Sequence, residues 1–292
     1  MAVSIFISNN FINVTAGSLQ KNKLNVTKCI KTPIQEGLVI NGIIMNEDRL
    51  ADALKNVWAD NDGLAKSAKL VVSSTSVLIK KLRVPVANDR KLLDIIKDEY
   101  SEVENYNNLV YDYRVLNPKA KEGGMDVLAC ACEREFIESY ISLFEKSGIT
   151  LETITPALSS IINTTSLYKE LSHGTYVIAN LDGNNLANTL FVNGEFYYSS
   201  RSRLLEDFGT EDADNEMYRI LSSLVQFNKS QKTGFDITNI YFTGDINEQS
   251  TQIGEQLSRV LEVKVGTLDV PSVSNLSDRY QFNKLFYTLG NL

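Results

Sequence analysis

The residues best placed to do chemistry early in this sequence are the turn Ser8-Asn9-Asn10, set between apolar Ile5 and Ile7 on one side and Ile12 and Val14 on the other. Apolar residues at period two around a short polar turn predict a β-hairpin. A turn of small polar residues can aim several backbone N–H groups at one point and so form a concave anion site. This one has neither glycine nor charge, so it would hold an anion in outline only. Three other groups invite a chemical reading. Cys130-x-Cys132 lies in an alternating segment that puts both sulfurs on one strand face, but two thiolates do not complete a zinc shell and the sequence holds no second Cys/His pair. The two read as packing cysteines. His173, the single histidine, stands before Gly174 with no Ser/Asp or Cys constellation beside it, so a catalytic triad has no support and a surface position between two halves is expected. The acids Glu206, Asp207, Glu211, Asp212 and Asp214 precede a helical pattern and read as a solvated, dipole-favoured helix start rather than a metal site.

These residues must be positioned by a chain of 292 residues, enough for one large or two average domains. The formal net charge of -7 argues against nucleic acid, whose phosphates need clustered positive surface. Three cysteines, few and odd in number, suit a reducing compartment, which makes the cytoplasm the expected address. No run approaches the roughly 20 apolar residues needed to cross a bilayer, and no basic stretch followed by an apolar core opens the chain. Direct membrane insertion is therefore not expected. Service at a membrane would go through a partner that spans it.

Along the chain, strands alternate over the first 30 residues; a turn at Asn41-Gly42 follows, then a helix starting near Asn46 or Glu47 with Leu50, Leu54, Val57 and Trp58 at helical spacing. Two strands stop at Pro85. The segment ANDRKLLDIIKDEYSEV predicts a helix with Leu92, Ile95, Ile96 and Tyr100 on one face and Asp89 as its N-cap. Two strands around a Lys/Gly loop come next, then a helix from about Arg134 to a glycine stop at Gly148. From Gly174 the grammar repeats: three strands with turns at Asp182-Gly183-Asn184-Asn185 and Asn193-Gly194, a helix ending at Gly234, then strand, helix, strand. A hairpin followed by helices and strands occurs near residue 3 and again near residue 176, which predicts two similar α/β lobes facing each other.

The order of these elements, together with TPIQEGLVINGIIMNEDRLADALK, KKLRVP, VYDYRVL, VLACACEREFIESYISLFEKSGITLETITPAL and IYFTGDINEQSTQIGEQLSRVLEVKV, resembles the PilM family over nearly the whole chain. These are actin-like cytoplasmic proteins of type IV pilus assembly. The resemblance implies an α/β, actin-like (FtsA/PilM-type) fold: a first lobe over 1–83 and 149–172, a small inserted subdomain over 84–148, and a second lobe over 173–292. It implies ATP with magnesium in the cleft between lobes. It also implies a groove beside the inserted subdomain for the cytoplasmic N-terminal tail of PilN, a single-span membrane protein. A pilus motor ATPase is a further implied partner.

Laid on this chain, the family's nucleotide signatures are altered at three places. The Asp-x-Gly of the first hairpin falls on Phe6 and Ser8, followed by Asn9 and Asn10. The Asp orients magnesium or its water and the Gly lets backbone approach phosphate; Phe6 does neither. The Asp-apolar-Gly of the second hairpin falls on Asn180-Leu181-Asp182, which puts a carboxylate where a phosphate should rest. A shift of one register would pair Asp182 with Gly183 but would turn Leu181 out of the core. The adenosine-side Gly-Gly reads Gly244-Asp245. Two readings stay open: a weakened or lost site on a protein-binding scaffold, or a working site in which Asn9, Asn10, Asn184 and Asn185 donate to phosphates. Asparagines that merely form turns are the plainer alternative for each. For the partner groove, Leu92, Ile96 and Tyr100 of the helix and Tyr111 and Tyr113 of VYDYRVL are the expected borders. Rival functions are a kinase or ATPase of the same fold, which needs carboxylates absent from their usual places, and a polymerising filament protein. The cytoplasmic domain of a type II secretion membrane protein would need a spanning helix after FNKLFYTLGNL.

Overall fold

The computed structural model describes residues 1–20, 23–120, 123–206 and 209–292. Strand β1 (Ala2–Ile7) folds back through its short turn onto β2 (Phe11–Gln20), which pairs with β3 (Lys23–Pro33). Side chains alternate across β1. Val3, Ile5 and Ile7 face the lobe's own helices while Phe6 faces the opposite way, toward the second lobe. A small hairpin, β4 (Val39–Ile40) and β5 (Ile43–Ile44), turns at Asn41-Gly42, both of which have positive φ, as a tight two-residue loop requires. Helix α1 (Glu47–Ala59) is capped by Asn46, whose side chain accepts from Arg49 N, and β6 (Ser67–Val72) then runs parallel to β1.

The chain next leaves the lobe to build a second, three-stranded sheet from β7 (Leu78–Val84), β8 (Leu109–Asn117) and β9 (Met125–Glu133) in the order β7-β9-β8, with helix α2 (Asp89–Asp98) on one face. Asn88, not Asp89, caps α2 by accepting from Lys91 N. The subdomain thus begins before the expected residue 84, because β7 is one of its strands. Helix α3 (Arg134–Ser147), which ends on left-handed Gly148, packs back into the first lobe through Tyr140, Leu143 and Phe144 and belongs with that lobe's core. The Tyr140 hydroxyl donates to Gly42 O at 2.7 Å. Strand β10 (Thr150–Pro156) closes the first sheet beside β6, giving the order β10-β6-β1-β2-β3.

Helix α4 (Ala157–Thr165) crosses to the second lobe, where β11 (Tyr176–Asp182), β12 (Asn185–Val192) and β13 (Glu195–Arg203) form an antiparallel meander, turning at Asn193-Gly194, both with positive φ. Helix α5 (Glu211–Ser230), capped by Thr210, starts four residues ahead of the expected NEMYRILSSL segment and so takes Glu211, Asp212 and Asp214 into its first turn. Strand β14 (Asn239–Gly244), helix α6 (Glu248–Leu261) and β15 (Lys264–Thr267) complete a sheet in the order β13-β12-β11-β14-β15. In each lobe an antiparallel trio is extended by two parallel strands in the same sequence of positions, so the duplication read from the pattern is one of topology. Helices α7 (Arg279–Lys284) and α8 (Phe286–Leu289) return to the seam, where Phe282, Phe286 and Leu289 join Ala157, Leu158 and Ile161 of α4 and Phe6 of β1 in one core shared by both lobes. Among the described residues no helix is long and apolar enough to cross a membrane.

Candidate functional site

The two hairpin turns that should flank a ligand lie in contact with each other. In the first, the Ser8 hydroxyl oxygen accepts from Asn10 N at 3.1 Å and Phe11 N at 3.0 Å, so the N–H groups that would point at an anion already have an acceptor. Asn9 Oδ1 accepts from Asn41 N at 2.9 Å and ties the turn to the β4–β5 hairpin. Asn10 reaches the other lobe: a Cβ added at Gly183 would lie 3.2 Å from Asn10 Nδ2. In the second hairpin Leu181 points into the helix-side core at 1% exposure, which leaves Asn180 and Asp182 on the cleft side. The unshifted register is therefore the one adopted. Asn180 spends its amide on Thr243 Oγ1 at 2.9 Å, Asn185 Nδ2 donates to Asp182 O at 3.3 Å, and Asn184 O accepts from Leu204 N at 2.7 Å.

What remains between the turns is a void of about 20 Å³ bordered by Phe6, Phe11, Asn180, Asp182, Asp245 and Tyr287. A space of that size holds about one water. The Phe6 ring meets Tyr287 edge-on with centroids 4.8 Å apart, and Lys31 Nζ bridges the lobes to Asp245 at 2.7 Å while lying 4.0 Å over the Phe11 ring. Gly244 is required by geometry: its φ is +85°, and a Cβ there would fall 2.1 Å from Leu181 O. Asp182 keeps some solvent contact but is closely surrounded. Desolvation lifts its carboxyl to about 6, against the pull of the Arg201 charge, the Ser8 hydroxyl and Lys31 and with a push from Asp245.

A second feature is far larger. A groove of about 780 Å³ runs between strand β10 and the underside of the inserted sheet. Strand β10 pairs only with β6, so its outer edge carries unpaired backbone groups among the described residues. The bulge at Glu152, whose carboxylate accepts from the Ser67 hydroxyl, interrupts that edge as edge strands commonly are. Ile137, Ile141 and Phe144 of α3 make one wall, Val110, Cys130 and Cys132 the other, and Asp112, Glu145 and Glu152 add negative charge to the lining.

The residues expected to border this groove divide by strand parity. Leu92, Ile96 and Tyr100 are 2%, 0% and 0% exposed and form the core between α2 and the inserted sheet, on the face away from the groove. Their expected role as borders is corrected: α2's apolar stripe is consumed by its own sheet. Tyr111 and Tyr113 pack toward the same α2 core. Tyr111 also reaches the groove, and the Tyr113 hydroxyl donates to Asp89 Oδ1 at 2.8 Å. The groove instead takes the alternate set, Val110 and Asp112 opposite Cys132 and Cys130. Burial pushes the Cys130 thiol up to about 12 and Cys132 up to about 11, which suits inert packing cysteines. His173 is exposed, at the end of a short 3-10 turn over 169–173. Of the acidic stretch, Glu206 is exposed and Asp207 lies outside the described residues. No group of three metal-ligating side chains occurs among the described residues.

Comparison with known proteins agrees with this architecture. The sequence profile of the family described as Type IV pilus assembly protein PilM matches residues 4–176. Among solved structures, the chain is similar to one titled PilM-PilN type IV pilus biogenesis complex, with a TM-score of 0.82 at 13% identity over 99% of this chain and 96% of that one. It is also similar to a Bacteroides thetaiotaomicron protein of actin-like ATPase fold and unknown function, TM-score 0.59 at 12% identity over 98% and 95%. The cytoplasmic domain of EpsL, an inner membrane component of the Vibrio cholerae type II secretion system, gives a TM-score of 0.53 at 9% identity over 99% and 93%. At these identities the structural likeness concerns the fold, which is actin-like. No curated protein sequence matches the chain.

Proposed function

The chain belongs to the type IV pilus assembly protein PilM family, and from that premise we propose that it is a cytoplasmic adaptor holding the N-terminal tail of a PilN-like, single-span membrane protein in the groove between β10 and the inserted subdomain. The observation that carries the reading is the groove itself. An unpaired strand edge offers backbone hydrogen bonds to an extended segment, and the apolar walls offer pockets for alternate side chains. The acids Asp112, Glu145 and Glu152 favour a tail that carries basic residues. The protein reaches the inner face of the membrane through this partner.

We also propose that the interlobe slot takes no nucleotide. A void of about 20 Å³ has no room for a triphosphate, the turn N–H groups are occupied by Ser8, and Asp182 sets a carboxyl where phosphate oxygens would rest. Closed in this way, the two lobes act as a rigid support for the groove.

Anisotropy of a labelled peptide covering the partner's cytoplasmic tail tests the first proposal. Val110→Asp and Ile141→Asp should each weaken capture at least tenfold; Ile141 is 42% exposed, so its replacement leaves the core intact. Unchanged affinity in both folded variants would refute the placement. Calorimetry with ATP and magnesium tests the second: no saturable heat is expected, and saturable binding would restore a nucleotide switch.

A further inference from the structure

The inserted sheet turns one face toward the groove, and along β8 that face runs Val110, Asp112, Arg114. Val110 and Asp112 line the groove already described. Arg114, about 7 Å further along the strand than Asp112, lines a smaller pocket of about 250 Å³ that continues from it. The two cavities share Asp112, Cys130, Ile154 and Pro156 as lining, so they adjoin. Ser159 and Asn163, one turn apart on α4, and Asn291 beyond α8 border the pocket from the lobe side.

Two donors in this pocket lack acceptors. Arg114 is half-buried, and among the described residues its one hydrogen bond runs from Nη1 to Ser159 O at 3.1 Å, which leaves most of the five guanidinium N–H groups unspent. Among the described residues no carboxylate pairs with it: Asp112 turns Oδ1 back to accept from Tyr113 N at 2.7 Å, and burial draws the Arg114 pKa below its usual range. Asn291 is 8% exposed; its Oδ1 accepts from the Thr155 hydroxyl at 3.0 Å, while its Nδ2 is buried with no partner among the described residues. A desolvated cation without a counter-charge and a buried amide donor without an acceptor are both costly until a ligand completes them. That ligand must bring negative charge and more than one acceptor, as a carboxylate does, with one oxygen for the guanidinium and the other for the amide. Ile79, Leu128 and Ile154 beside them suit the methylene stem of an acidic side chain better than a fully hydrated ion.

We propose that this pocket receives the carboxylate of an Asp or Glu on the captured segment, held by Arg114 and Asn291. The inference rests on the tail-capture reading and adds a requirement to it. The lining changes sign from Asp112, Glu145 and Glu152 to Arg114, so the segment must carry an acidic residue at that end as well as basic residues along β10. A segment laid in the reverse direction would set like charges together, so the pocket also selects the direction in which the segment lies.

The test is anisotropy of the full-length protein with the labelled tail peptide and with peptides in which each Asp and Glu is replaced in turn by Asn or Gln. One such replacement should weaken binding at least about tenfold, and Arg114→Met should weaken binding of the parent peptide by a similar factor. Combined, the two changes should cost little more than either alone, because each removes the same contact. Asn291→Asp, nearly isosteric and still an acceptor for Thr155, should weaken capture by setting one carboxylate against another. Arg114→Glu should abolish capture of the parent peptide, and a peptide with Lys at the sensitive position should regain it. A captured peptide with no acidic residue, acidic residues that can all be replaced without effect, or additive losses in the combined variant overturn the inference and leave tail capture standing. A parent peptide that does not bind overturns tail capture and this pocket's role together.

Discussion

Asp182 allows the closed slot to be weighed energetically. Its carboxyl is lifted from 3.8 to about 6 in the folded protein, first by desolvation. The folded state therefore binds this proton more tightly than the unfolded chain, and stability from this group falls as pH rises between about 4 and 6. The gap corresponds to about 3 kcal/mol at roughly 1.4 kcal/mol per decade, and partial solvent contact scales this to about 1–3 kcal/mol. Below pH 4 the cost vanishes; above pH 6 it is present in full. Asp182→Asn removes the ionisation and keeps the shape, so at pH 7 the variant should be more stable than the parent by about 1–3 kcal/mol. Near pH 4 the two should differ little. Urea unfolding of both proteins at half-unit intervals from pH 4 to 7.5 gives the difference, in which the titrations of all other groups cancel. The reasoning fails if that difference is independent of pH, or if it grows as pH falls. The first outcome would mean a solvated carboxylate; the second would mean one stabilised by Arg201 and Lys31 more than burial penalises it.

Two further changes probe the scaffold. Gly244→Ala forces a Cβ against Leu181 O in a left-handed backbone, and should cost on the order of 2–4 kcal/mol in urea unfolding, with loss of the Lys31–Asp245 bridge beside it. Tyr140→Phe removes a buried hydroxyl and leaves Gly42 O without that donor, which should cost about 1–2 kcal/mol without altering peptide capture.

Local signals in the sequence were strong wherever one residue type answers one backbone need. Asn41-Gly42 and Asn193-Gly194 turn where their positive φ angles place them, and Gly148 ends α3. Capping was legible to within one residue: Asn88 and Asp89 are both good N-caps, and which one serves depends on where the helix axis meets the sheet. The duplication was legible because two copies of the same strand pattern must solve the same burial problem. Long-range closure was not. Lys31 and Asp245 are 214 positions apart, and Tyr287 reaches the cleft from the last helix, so no local pattern announces that they meet Phe11 and Phe6. Residues such as Phe6 are visible only as a missing aspartate; what they do instead is decided by the partner ring.

The groove illustrates a different limit, set by parity. An amphipathic helix and an alternating strand reveal which side chains are apolar together, but a small sheet covered by a helix on one face and a lobe on the other needs apolar residues on both. In β8 and β9 the set Tyr111, Tyr113, Ala129 and Ala131 serves α2, while Val110, Cys130 and Cys132 serve the groove, and the sequence offers little contrast between them. Of the larger aromatics, Tyr113 packs toward α2 alone and Tyr111 reaches both the α2 core and the groove. A one-residue step exchanges every side chain in such a strand, so partner contacts should respond to substitution in strict alternation. On that argument Val110, Asp112, Cys130 and Cys132, together with Tyr111 where it reaches the groove, should govern the fit of an extended segment laid along β10, and substitution of Tyr113 should leave it unchanged.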